Sequence, residues 1–152
     1  MSPATAERIV VLTMRFLAVN FALVGILFIA TPDGVVGAID DLGDAIGSFA
    51  EGPETEQKFW LALGFAYMVV ITGIALVVAS DVVRFRPLLL VLAAGKAASS
   101  LAALAFYVGD DDVFIYLLNF LGDGSLVLTA LWCWSLAGRV QAARPAAAAA
   151  PG

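Results

Sequence analysis

Four long apolar stretches separated by polar connections set the pattern of this chain: about Ile9–Ala30, Phe59–Ser80, Pro87–Val108 and Val113–Ala137. A helix needs about 20 apolar residues to cross a hydrocarbon core about 30 Å thick, and each stretch supplies them. Runs such as LVGILFIA and LLLVLAAG show no strict alternation, so they predict helices rather than strands of a membrane barrel. The connection over 31–58 has a second pattern. Val35, Ile39, Leu42, Ile46 and Phe49 recur at spacings of three and four, with Asp40, Asp41, Asp44 and Ser48 between them. That spacing predicts an amphipathic helix, ended by Gly52-Pro53, after which Pro53–Glu56 forms a first turn for span two.

The expected fold class is therefore all-α: an integral membrane four-helix bundle with an amphipathic outer-surface helix between spans one and two. Residues 1–8 form a short N-terminal segment, 9–137 the transmembrane domain and 138–152 a low-complexity tail, frayed from Arg144 onward. The two short connections make spans two, three and four antiparallel neighbours. Span one is read as a retained helix, because cleavage after Ala30 would place Phe28 where a signal peptidase wants a small residue.

Composition agrees. Apolar residues make up 62% and charged residues 14%, against about 45–50% and about 25% in soluble domains. An ordinary soluble domain, a disordered chain and a nucleic-acid binder are excluded. Charge then gives a direction. The N-terminus, the second connection and the tail carry Arg8, Arg84, Arg86, Arg139 and Arg144 against Glu7 and Asp81, whereas the other two connections hold ten carboxylates against Lys58 alone. By the positive-inside rule both termini are cytoplasmic, and the protein is a multi-pass protein of the cell inner (plasma) membrane. Trp60, Trp132 and Trp134 fall near span ends, as interfacial tryptophans do.

Candidate chemistry lies within the spans. Ionisable residues there cost about 2.5–3.5 kcal/mol each on insertion scales and mark functional or structural pairs. Lys96 and Asp123 reach similar depth on antiparallel spans, which predicts an ion pair near the midplane. Asn119, Tyr116, Ser99, Ser100 and Asn20 join the same polar layer, with Thr72 near mid-depth and Arg15 shallower, placed either to snorkel or to reach toward Asp123. The small residues of span three predict a central helix or a dimer face. Gly122 and Gly124, flanking Asp123, either let another helix backbone approach that carboxylate in a tight crossing or leave space for a ligand. Asp110–Asp112 reads as a solvated acidic turn, and Arg84-Phe85-Arg86 as a topology signal. There is no histidine, and the only cysteine is Cys133. A His-based metal site, a Ser-His-Asp triad and a CxxC pair are excluded, and no catalytic residue, metal or cofactor is assigned. Cys133 reads as a packed apolar residue.

The four-span layout resembles small bacterial inner-membrane proteins of the DoxX-like type. The features that carry the likeness are a long first outer loop and an Arg-rich turn before a Lys-bearing third span (VRFRPL, then AGKAASS). The resemblance implies a subunit associated with quinone-linked oxidation of sulfur compounds, working with partner proteins. Two functions are compatible with the residues. One is a non-enzymatic accessory or scaffold subunit of a membrane assembly, with Lys96–Asp123 as a structural pair. The other is a small transporter or binder of a lipid, quinone or other amphiphile, alone or as a homodimer, with Lys96 and Asp123 as polar contacts. Its partners are membrane lipids and, in either case, other membrane subunits or a second copy.

Overall fold

The computed structural model describes residues 1–53, 57–109 and 112–148, with side chains to Arg144. Five helices follow one another: α1 (Pro3–Ala30), α2 (Pro32–Ile46), α3 (Lys58–Ser80), α4 (Pro87–Gly109) and α5 (Phe114–Ala148). Four of them, all but α2, are long and apolar enough to cross a membrane. The expectations for Glu54–Glu56, for Asp110 and Asp111, and for the last four residues lie outside the described residues.

Local chemistry sets the boundaries. Ser2 caps α1, its hydroxyl accepting the Thr5 N–H at 3.2 Å, with Pro3 in the first turn. Pro32 has no N–H to continue α1 and instead opens α2. Asp81 shapes the turn between α3 and α4: its Oδ1 accepts the N–H groups of Val83 and Arg84, both at 3.1 Å. The bond from Arg84 is the main reason its carboxyl sits below the ordinary value, with the Arg144 guanidinium adding to it. Helix α5 extends beyond the predicted end at Ala137 to Ala148, so the segment after Arg144 begins as helix rather than as a frayed tail. Its alanine-rich sequence favours this.

The packing differs from the expected neighbour order. Helix α1 packs chiefly on α3 and α4 on α5, while α1 and α5 join the two pairs and α3 and α4 touch more sparingly. Span three is thus not central: α4 lies against α5, where its small residues permit close approach. A Cβ on Gly124 would lie 3.4 Å from the Ser100 hydroxyl, whereas one on Gly122 would meet nothing within 4 Å. Helix α2 covers the stretch predicted as amphipathic and meets the bundle through residues beside the apolar stripe. Val36 and Gly43 are buried, with Gly43 against Phe114, and Leu42 and Ile46 remain exposed. The helix stops before Phe49, whose ring packs 5.0 Å from that of Phe114.

At the end bearing both termini, Arg86 ties the short α3–α4 turn to α5. Its Nε donates to the Trp134 carbonyl at 3.1 Å and its Nη1 to Gln141 Oε1 at 3.0 Å, and the guanidinium lies 4.1 Å from the centroid of the Trp134 ring. Gly138 leaves the space it needs, since a Cβ there would lie 2.8 Å from Nη2. Arg86→Ala is expected to cost about 2 kcal/mol, from charge-assisted bonds and the ring contact. Arg86→Lys should recover only part, because an ammonium lacks the planar fork. Thermal unfolding in mild detergent measures both. The contacts of Arg144 with Glu7 and Asp81, each at 3.4 Å, are exposed and contribute little.

Candidate binding cavity

The close-packed core occupies only one half of the assembly. It comprises Ala6–Phe21 of α1, Ile71–Val82 of α3 and its turn, Leu89–Ala93 of α4 and Ala130–Val140 of α5, with Cys133 fully buried. Beyond it, toward α2, no described residue of α3 before Ile71 is buried. The helices there border a half-open cavity of about 750 Å³, reached by α1, α3, α4, α5 and the segment around Pro53 and Gln57.

Lys96 and Asp123 line this cavity where it meets the core. The Lys96 ammonium donates to Asp123 Oδ1 at 2.9 Å, with side chains only 3% and 9% exposed. Measured from the end where α4 passes into α5, Lys96 lies about 20 Å along α4 and Asp123 about 14 Å along α5 at 1.5 Å per residue, an offset that the long lysine side chain spans. Phe21 and Tyr67 flank the ammonium, with ring centroids 5.1 and 5.4 Å from Nζ. The Tyr67 hydroxyl is buried against Gly95 and has no hydrogen-bond partner among the described residues.

Five of the eight predicted site residues meet here. Besides Lys96 and Asp123, Asn119 donates to the Ser99 hydroxyl at 3.3 Å, and both line the cavity. Asn20 lines it from α1 while donating to the Phe16 carbonyl of its own helix at 2.8 Å. The other three lie elsewhere. Ser100 donates to the Phe120 carbonyl at 2.8 Å, so it joins α4 to α5. Tyr116 packs on Phe106, 5.7 Å between centroids. Arg15 is exposed and makes no bond to Asp123, because its position on α1 turns it out of the core. Thr72 bonds back to the Met68 carbonyl.

Sequence reasoning missed the apolar wall. Phe16, Phe21 and Phe28 come from α1, and Trp60, Phe65 and Tyr67 from α3. One signal was present: Trp60, Gly64, Tyr67 and Met68 recur at helical spacing, with a missing side chain at Gly64. At 100° per residue, Phe16 lies on the opposite flank of α1 from Gly25, which meets Phe65 and Met68 of α3. The cavity therefore reaches toward α5 on that side, where Asn20 and Asn119 contribute its polar edge. Among the described residues no group of acidic, cysteine or histidine side chains is arranged to hold a metal.

Comparison with family models, with curated proteins and with solved structures found no match. Fold and site together define a class: a multi-pass helical membrane protein with an apolar cavity and one ion pair at its floor.

Proposed function

We propose that this protein binds or carries an amphiphile whose polar head sits at Lys96 and Asp123 and whose apolar part lies along the aromatic wall. The observation that carries this reading is the cavity itself. Its volume of about 750 Å³ falls within the roughly 300–1,000 Å³ of small-molecule pockets, which are mostly apolar with a few converging polar groups. Reading the molecule this way, the four long helices form a transmembrane bundle in a bacterial inner membrane. Exposed Leu42 and Ile46 let α2 rest on the outer membrane surface.

Native mass spectrometry of protein extracted gently from its own membrane tests the binding role, with Gly64→Trp as the comparison. Gly64 lines the cavity and a Cβ there meets nothing within 4 Å, so a larger side chain has room to begin at this position. The wild-type protein is expected to carry a discrete small-molecule mass and Gly64→Trp to lose it with folding intact. Equal behaviour of the two proteins defeats the proposal. Orientation is tested separately, in a Cys133→Ser background. Asp41→Cys is expected to react with an impermeant thiol reagent in whole cells and Arg84→Cys only after permeabilisation; the reverse pattern inverts the topology.

A further inference from the structure

Resting on the binding role just proposed, we infer that the ligand's head group is uncharged and both donates and accepts hydrogen bonds, as a glycerol hydroxyl does, rather than a phosphate or an amine. Lys96 and Asp123 are the only charged side chains lining the cavity among the described residues, and they cancel each other. Away from water, unit charges interact far more strongly than in solution. An anion drawn to Lys96 would therefore meet the Asp123 carboxylate 2.9 Å from that ammonium, and a cation drawn to Asp123 would meet Lys96. Neither gains a net partner, and each would shed its own hydration on entering.

Hydrogen-bonding capacity, by contrast, is left over with both signs. Lys96 has three N–H donors and gives one to Asp123. Asp123 accepts through Oδ1, and its Oδ2 makes no hydrogen bond among the described residues. A head offering an oxygen to Lys96 and an O–H to Asp123 uses these groups without separating the pair. The flanking rings of Phe21 and Tyr67 limit access to the ammonium from their sides, which favours a compact head over a branched one.

The test uses three probes with the same hydrocarbon chain: 1-monooleoylglycerol, oleyl phosphate and oleylamine. Each is titrated into the full-length protein in nonionic detergent, read by native mass spectrometry and by thermal shift. Monooleoylglycerol is expected to bind at least about tenfold more tightly than either charged probe, a difference of about 1.4 kcal/mol. Asp123→Asn should turn the preference to oleyl phosphate, and Lys96→Gln should turn it to oleylamine, because each leaves one charge uncompensated. Tightest binding of a charged probe to the wild type overturns the inference while leaving the binding role standing. Binding of none of the three, with Gly64→Trp indistinguishable from wild type, overturns the binding role itself. Should either charge variant fail to fold, the wild-type series alone decides.

Discussion

Asp123→Asn is expected to lower the unfolding free energy by about 3–5 kcal/mol, the cost of breaking a buried pair and stranding its partner. The physical cause is the position of Lys96: 3% exposed, ten residues into a membrane-spanning helix and flanked by two aromatic rings. It has no other carboxylate among the cavity-lining residues described. A neutral amide in place of Asp123 accepts a hydrogen bond but no longer compensates the ammonium. Replacing both residues, as Lys96→Met with Asp123→Asn, should bring stability back to within about 1–2 kcal/mol of wild type, because the uncompensated charge has gone. Unfolding of the reconstituted protein in a mixed-micelle titration measures all three. Equal stability of Asp123→Asn and wild type would show that the pair is not what holds α4 to α5.

Gly25→Leu is expected to cost about 3 kcal/mol, toward the upper end for overpacked sites. A Cβ at Gly25 would stand 2.8 Å from Met68 Cβ and 3.6 Å from Phe65 Cδ2. The first of these is bonded directly to the α3 backbone, so no rotamer change relieves the contact and the helices must separate. Here the close approach is what lets α1 and α3 pack in lipid, where small residues replace the hydrophobic drive available in water. Gly25→Ala should already be destabilising. Gly64→Ala provides the contrast: its Cβ has open space, and losing a mid-helix glycine should stabilise by about 0.5–1 kcal/mol. Parallel melting curves of the three variants decide the matter, and a neutral Gly25→Leu would refute the tight α1–α3 contact.

The spans were legible in the sequence because the transfer of apolar side chains is a local property, additive along a stretch. Lys96 and Asp123 were legible for a related reason: two ionisable groups inside apolar runs at matching depth have few alternatives to each other. Helix neighbours were not. In water an amphipathic pattern points to the core, but α3 is apolar around its whole circumference, so its sequence does not separate the face against α1 from the face against lipid. The small residues of α4 signalled close approach without naming α5 as the partner. In α2 the predicted apolar stripe was real, yet Val36 and Gly43 dock while Leu42 and Ile46 stay outside. The cavity was the least legible feature. It lies between helices that include the sparingly touching α3 and α4, and its walls are ordinary membrane-span residues.

The lack of buried residues in its first half gives α3 the mechanics of a lever. Its grip on α1 runs from Phe65 and Met68, which face Gly25, to the buried Val78, and only the first turns of the helix project beyond it. Lys58 lies seven residues past Phe65, about 10 Å along the axis, so a swing of about 10° carries it about 2 Å sideways. Trp60 and Gly64 ride on the same arm. Admitting a guest would then require bending at a single fulcrum, with the grip around Ala75 and Val78 undisturbed.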